Sequence, residues 1–450
     1  MSTREHEYAC FKRCYDNYNA DPKFRALMDE SPDTAVRKLG YEGLLDCNIL
    51  PEAIQYIFFG RKRAGSINNK YISEYVNRIS EIADYVSYAV AESRFNERNL
   101  CYYGQIVRNR CRMESVDIRE HNLIRYFPIA FELTDGCSVQ CDFCGFSADK
   151  LKGIFAFDEE NIALWEGVLR KARALIGTVV GACPCYFATE PLDNPDYEKF
   201  MKIFYDVLGE YPQTTTAVCE RDPARFRRLT RVLGKENLRR RDSVRISIHS
   251  LAQFHKIMEE YSEDELADIE LLCNNPESIN RISASGRCMT QPEKLQGKNI
   301  KYSISCIAGL YVNMVKKSIA FIEPELPDDE FPLGYRNWNV MTFSDPDEFE
   351  VCMRTLIDKY GKYSFCQDRN LAWNKNIRIL CQDKDYIIFE GKGYRFKVSW
   401  GKLMFDIIER VNRHETFLQI VSELGLFGEL YKVALGRMQD LYIRGYLRMV

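Results

Sequence analysis

The chain has 450 residues, 46% of them hydrophobic and 28% charged, with a formal net charge of −3. That length predicts two to three domains, and that balance excludes wholesale disorder. The slightly negative charge excludes a surface given over to neutralising phosphates, so no nucleic-acid partner is expected.

The first residues, MSTREHEYACF, hold no apolar stretch of the secretory kind, and no window approaches the roughly 18 consecutive apolar residues of a membrane span. A cytoplasmic location away from the membrane is therefore expected. Seventeen cysteines in such a chain read mostly as reduced, buried thiols and not as a disulfide framework.

Residues 1–120 predict a helical region. Asp21-Pro22 and Ser31-Pro32 are helix-start signals, Gly40 is a stop, and Tyr71 to Phe95 is a long amphipathic candidate. Over 121–330 strands and helices alternate. Leu123–Thr134 reads as a strand and Asn161–Ile176 as a helix carrying Trp165, Val168, Leu169 and Ala172 on one face. The run TVVGACPCYFA, a helix around Tyr197–Leu208, the strand-like TTTAVC and a helix over Ala224–Leu233 follow. VRISIHS (Val244–Ser250) and YSISCIAGLYV (Tyr302–Val312) are further strand candidates. This alternation predicts an α/β core of βα units with a mostly parallel sheet, an open or closed barrel. The run Arg239-Arg240-Arg241 reads as a solvated helix end or loop.

Residues 331–385 read as a connecting or capping segment. In 386–450, Tyr386–Phe389 and Tyr394–Trp400 flank a Gly-containing turn as a hairpin, and three helical patterns follow in Leu403–Val411, Thr416–Leu424 and Tyr431–Tyr442. Together they predict a small winged-helix-like module, whose last helices lack the concentrated basic face of a DNA reader.

Chemistry concentrates in Thr134–Ala148, TDGCSVQCDFCGFSA, where Cys137, Cys141 and Cys144 fall in a C-x3-C-x2-C pattern just after an apolar run. A zinc site would need a fourth ligand from afar, since zinc is usually four-coordinate with paired Cys or His units, and the chain has only five histidines. Three merely buried thiols would sit poorly in a polar loop beside Gly136 and Gly145. A [4Fe–4S] cluster normally takes four cysteines; with three, one iron stays open to bind a small molecule.

This spacing, with Phe143 before the last cysteine, resembles the radical S-adenosylmethionine (SAM) superfamily. In that superfamily the open iron chelates the amino and carboxylate groups of SAM, and reductive cleavage yields a 5′-deoxyadenosyl radical. The resemblance implies a partial (β/α)6 barrel, metal ligation by Cys137, Cys141 and Cys144, and a SAM-amino site after the next strand. That site usually reads G-G-E; here ATEPLDNPDY puts Glu190 at the acidic position and Ala188-Thr189 in place of the glycines. Phe143, Thr189, Glu190 and Ser247 are the implied cofactor contacts, with His249 a weaker one. Glu190 has a plainer reading as a carboxylate at a helix start before Pro191.

Wider stretches, YFATEPLDNPDYEKF, SISCIAGLYVNMV with IEPELP, and FPLGYRNW, resemble the radical SAM peptide epimerases that mature ribosomal peptides, the polytheonamide-pathway type. The likeness spans roughly residues 128–345. It implies conversion of L- to D-residues in a precursor peptide, with SAM consumed and an electron donor such as a flavodoxin or ferredoxin. One group removes the Cα hydrogen, and a cysteine thiol returns hydrogen from the opposite face. Cys306 is the favoured donor and Cys366 the next, ahead of Cys352 and Cys381. Cys183 and Cys185 do not amount to a second cluster. The terminal module resembles leader-recognition elements, which bind a leader peptide by strand addition. Rival expectations are a radical SAM enzyme making a crosslink or a C-methylation, and a non-catalytic peptide-binding homologue.

Overall fold

The structure, a computed structural model, describes residues 3–59, 69–94, 96–114, 127–142, 144–241, 243–280, 282–283, 285–290, 300–301, 307–325, 327, 329–361, 365–374, 377–383, 386–391, 394–399 and 401–450. Among the described residues the N-terminal region holds six helices: α1 (Thr3–Ala20), α2 (Pro22–Glu30), α3 (Pro32–Lys38), α4 (Leu50–Phe59), α5 (Lys70–Glu92) and α6 (Glu97–Glu114). The start of α2 follows from Asp21, whose carboxylate accepts from Lys23 N at 2.8 Å and Phe24 N at 3.3 Å, with Pro22 supplying a helical φ. Asn69 caps α5 in the same way, on Tyr71 N and Ile72 N. Phe11, Met28, Ile54 and Ile57 close a separate apolar core among these helices.

The central region is mixed α/β. Strand β1 (Phe127–Glu132) is buried along its whole length, and the short β2 (Thr134–Asp135) and β3 (Gly153–Ile154) pair across the cysteine loop. Helix α7 (Glu159–Ile176) then crosses back, begun by Asp158 on Asn161 N and ended at Gly177. Its Trp165 is fully buried, edge-on to Phe131 at 5.2 Å, and its indole N–H donates to Phe200 O at 3.2 Å in α8 (Tyr197–Leu208). Strand β4 (Thr214–Thr216), helix α9 (Pro223–Arg241), β5 (Val244–Ile248), α10 (Leu251–Glu260), the short α11 (Glu263–Leu266) and β6 (Glu270–Cys273) follow. Gly234, at φ 72, breaks α9 between two helical stretches.

Strands β4, β5 and β6 are parallel in that order. The extended stretch 183–185 lies between β1 and β4: Phe131 N donates to Pro184 O at 3.0 Å and Cys185 N to Gln213 O at 3.1 Å. Two two-residue strands, β7 (Ile282–Ser283) and β8 (Ile300–Lys301), pair in parallel. On the far side of β1 the parallel β9 (Ile307–Asn313) continues into the antiparallel β10 (Ser318–Pro324) and β11 (Tyr335–Thr342). Hydrogen bonds thus run in one line from β11 through β10, β9 and β1 to β6. Among the described residues the strands form several small sheets and no closed barrel.

Helix α12 (Pro346–Tyr360) packs back on α7 and β10. In the C-terminal region β12 (Leu371–Trp373) pairs with the last strand, while β13 (Arg378–Asp383), β14 (Tyr386–Gly391) and β15 (Tyr394–Ser399) form an antiparallel meander. Helices α13 (Gly401–Asn412), α14 (Phe417–Glu423) and α15 (Glu429–Ile443) precede β16 (Leu447–Met449). Met404, Ile407, Phe417, Met438 and Tyr446 make its core, which also takes in Leu371 and Ile377, upstream of residue 386. No described helix is long and apolar enough to cross a membrane.

Candidate functional site

The loop carrying Cys137, Cys141 and Cys144 leaves the C-terminal end of β1. Such strand ends are where parallel α/β sheets present their ligand sites. The loop is held by its own chain and by a distant one. Gln140, at φ 52, donates from Nε2 to Cys137 O at 2.8 Å, Ala148 O at 3.1 Å and Asp149 O at 2.9 Å. Arg287 donates from Nη1 to Cys141 O at 2.8 Å and from Nη2 to Gln140 Oε1 at 3.2 Å and to Ala148 O. Its backbone N–H donates to Cys144 O at 3.0 Å. Residue 286 must be glycine here: φ is 57, and a Cβ would lie 2.6 Å from Cys144 O. Gly136, at φ 87, allows the same close approach on the other side, where a Cβ would run into the Lys150 carbonyl.

Cys137 is buried, and Cys141 and Cys144 are half-buried. Burial, and then the neighbouring Cys144 and Cys137 charges, push the Cys141 thiol up to about 12. Burial also raises Cys137, with a smaller contribution from Glu190. A buried thiol raised by two neighbouring thiols belongs to a donor set whose deprotonation a cationic centre would favour. The residues present therefore fit a cluster held by three thiolates.

Two buried carboxylates stand next to this loop. Glu190, 2% exposed, accepts from Thr216 Oγ1 at 2.8 Å and Leu192 N at 3.1 Å on one oxygen, and from Ala217 N at 2.8 Å on the other. It caps the 3-10 turn Pro191–Asp193, so the plainer reading of Glu190 describes part of what it does. Burial pushes its pKa up to about 7. The next acidic side chain, Asp193, accepts from Ser138 N at 2.7 Å and so ties this turn to the cysteine loop.

The other carboxylate is Glu132, at the end of β1, which sequence reasoning missed. It accepts from Ala188 N at 2.6 Å, Asn313 Nδ2 at 3.1 Å and the Tyr311 hydroxyl, and the Thr189 hydroxyl also donates to it. Burial pushes it too up to about 7. The signal was present in the sequence: FPIAFE ends a wholly apolar strand with a charge, and a buried charge demands partners.

The strand ends of β4 and β5 close the other side. His249 lies 3.1 Å from Cys141 Sγ through Nδ1 and 3.2 Å from Ala217 O through Nε2. The carbonyl can only accept, so Nε2 carries the proton and the Cys141 thiol donates to Nδ1. Burial lowers the His249 pKa. Ser247 lies further back along β5 and accepts from Asn274 Nδ2 at 3.2 Å. Phe146 and Phe187 pack at 4.4 Å, with Tyr311 and Tyr335 against Phe187, lining the β1–β9 side with aromatic rings.

The structure therefore brings Cys137, Cys141, Cys144, Glu190, Thr189 and His249 to one side of the strand array. Phe143 and Cys306 lie outside the described residues. Cys366 sits with the C-terminal module, its backbone N–H on Met449 Sδ at 3.2 Å. Cys352 is buried on α12 with its thiol donating to Thr342 O at 3.6 Å. Cys183 and Cys185 are buried in the core, the Cys183 thiol donating to Val179 O at 3.2 Å.

Over 264 residues the chain is 33% identical to the uncharacterized protein y4wI of Sinorhizobium fredii (strain NBRC 101917 / NGR234), a match covering 57% of this chain and 51% of that protein. The chain thus spans about half the length of that relative. No family model and no solved structure matches the chain.

Proposed function

We propose that the protein is a radical SAM enzyme that converts L-residues to D-residues in a ribosomally made precursor peptide. The observation that carries the radical SAM part is the meeting of the three-cysteine loop, Glu190 and His249 at the C-terminal ends of parallel strands, with Cys141 Sγ 3.1 Å from His249 Nδ1. The epimerase part rests on the sequence resemblance over roughly residues 128–345.

Bound together, a [4Fe–4S] cluster on Cys137, Cys141 and Cys144 and SAM supply a one-electron reductive cleavage that yields a hydrogen-abstracting carbon radical. Around them, this chain's residues bind and orient. Glu190 offers a buried acceptor to an ammonium group, and the Thr216 hydroxyl and Ala217 N–H hold its carboxylate in place. Phe146, Phe187 and Tyr335 exclude water from the β9 side, which protects a substrate radical from quenching. A cysteine thiol, Cys306 by preference from the sequence, returns one hydrogen atom to the planar Cα. The thiyl it leaves regains an electron from a flavodoxin or ferredoxin and a proton from solvent. The meander β13–β15 is suited to take a leader peptide as an added strand, since among the described residues neither β13 nor β15 pairs on its outer edge.

The test is co-expression with the precursor encoded nearest to it, in D2O without oxygen, then hydrolysis, chiral amino-acid analysis and mass spectrometry. D-residues carrying one deuterium at Cα are the expected result. An all-L peptide lighter by 2 Da or heavier by 14 Da would replace epimerisation by crosslinking or methylation. An unaltered peptide together with no SAM cleavage by reconstituted protein would overturn the reading.

A further inference from the structure

Away from the strand ends, helix α1 presents a second set of metal-ligating side chains. His6 and Cys10 are four residues apart, so they lie on one face of the helix, one turn from each other. His6 Nε2 is 3.8 Å from Cys10 Sγ. Glu263, the first residue of α11, completes the group, and the ligand atoms of all three lie within 4.8 Å of one another. Four-coordinate zinc bonds of about 2.0–2.3 Å place a nitrogen and a sulfur ligand about 3.5 Å apart, close to the spacing found.

Each ligand is aimed by a neighbour. Asp264 Oδ1 lies 2.9 Å from His6 Nδ1. The carboxylate can only accept, so Nδ1 carries the proton and the Nε2 lone pair faces Cys10. A carboxylate behind a histidine in this way is the usual support of a metal-bound imidazole. Tyr41 donates its hydroxyl to Glu263 Oε2 at 3.3 Å, which leaves Oε1 for an ion. Cys10 itself is fully buried at the base of the group.

We propose that His6, Cys10 and Glu263 bind a divalent zinc ion that clamps the N-terminal helix to the α/β core. Sulfur, imidazole nitrogen and one carboxylate oxygen is a set suited to zinc, less so to magnesium or calcium, which take oxygen ligands. Binding displaces the Cys10 thiol proton to solvent and forms a Zn–S bond, with no oxidation or reduction. A water molecule fills the fourth position. The site is independent of the radical chemistry and of the cysteine loop.

The experiment uses the whole 450-residue chain carrying Cys137→Ala, Cys141→Ala and Cys144→Ala, so that those thiols cannot take up the ion. After chelator treatment it is titrated with Zn2+ and, separately, Co2+. The expected result is one equivalent of zinc, a thiolate-to-cobalt charge-transfer band, and a rise in Tm on adding zinc. Adding Cys10→Ser should abolish the charge-transfer band. Asp264→Asn should weaken binding about 10–100-fold, as loss of an outer-sphere partner does. No bound zinc, or one equivalent that survives Cys10→Ser unchanged, overturns the proposal. If the triple variant does not fold, the zinc content of wild type less that of Cys10→Ser separates the two outcomes: a difference of one supports the site and zero refutes it.

Discussion

Arg287→Ala is expected to loosen the cysteine loop without unfolding the core. The guanidinium makes three bonds to it, on Cys141 O, Gln140 Oε1 and Ala148 O. Hydrogen bonds from a charged donor are worth roughly 1.5–3 kcal/mol each when fully counted. Arg287 is half-buried, and Gln140 still holds Cys137 O, Ala148 O and Asp149 O on its own. A net local loss of about 2 kcal/mol is a reasonable sum, a rise of about 30-fold in the opened loop population. Hydrogen exchange reads it directly. The Cys137 amide, bonded to Asp149 O at 2.9 Å, and the Lys152 amide, bonded to Asp135 O at 2.7 Å, should exchange about 30-fold faster, while amides in β4 and β5 keep their rates. Arg287→Lys should lie near Arg287→Ala, because an ammonium keeps the charge but not the fork that spans three acceptors. Loop exchange within about 3-fold of wild type in Arg287→Ala would remove Arg287 as the loop's clasp, as would acceleration spread evenly over the whole chain.

Cys141→Ala should lose the cluster, read as iron and sulfide per chain, and with it all SAM cleavage; full iron content in that variant would remove Cys141 from the ligand set. Cys306→Ala should still form 5′-deoxyadenosine but yield few D-residues, measured by chiral analysis of the peptide; unaltered epimerisation would move the hydrogen donor elsewhere. Glu132 and Glu190 have folded pKa values pushed up to about 7, above the usual carboxylate range, so between about pH 4.5 and 7 the folded state holds protons the unfolded state has released. Their contribution to stability is therefore full at low pH and lost as pH rises through about 7, on the order of 1 kcal/mol per pH unit per group. Urea unfolding of the apoprotein should show Glu132→Gln losing less stability than wild type between about pH 5.5 and 7.5; an equal or steeper loss in the variant would refute the assignment.

What the sequence made legible was local. The helix read over Asn161–Ile176 is α7, because its apolar residues repeat at helical spacing and Asp158 and Gly177 bound it. Strands Val244–Ile248, Tyr386–Gly391 and Tyr394–Ser399 fall on the strand candidates Val244–Ser250, Tyr386–Phe389 and Tyr394–Trp400, the last read from its alternation. Strand β13, Arg378–Asp383, was not legible, since RILCQD alternates weakly and its place is set by pairing with β14. The cysteine loop was legible as three residues but not as a shape. Its fixing groups, Gly286 and Arg287, lie more than a hundred residues downstream, and nothing in their local sequence points back to Cys141. His6 and Cys10 look like ordinary helix residues until Glu263 and Asp264 are folded against them. Long-range contacts of this kind have no period and no composition bias, so only the fold reveals them.

Two buried carboxylates beside one loop raise the question of which could take a ligand ammonium, and their hydrogen bonds decide it. An ionised carboxylate has about four acceptor positions. Glu132 fills them with Ala188 N, Asn313 Nδ2, and the Tyr311 and Thr189 hydroxyls, joining β1, β9 and the Ala188–Thr189 turn. A fifth donor would have to displace one of these, so Glu132 is a structural knot that fixes the turn before Glu190. Glu190 holds three donors, from Leu192, Thr216 and Ala217, and keeps one acceptor position. Its pKa, pushed up to about 7 by burial, leaves it partly protonated at neutral pH while that position is empty. An arriving ammonium favours the carboxylate form and draws the pKa down. Binding at Glu190 should therefore release part of a proton near pH 7, a linkage that Glu132, already saturated, does not offer.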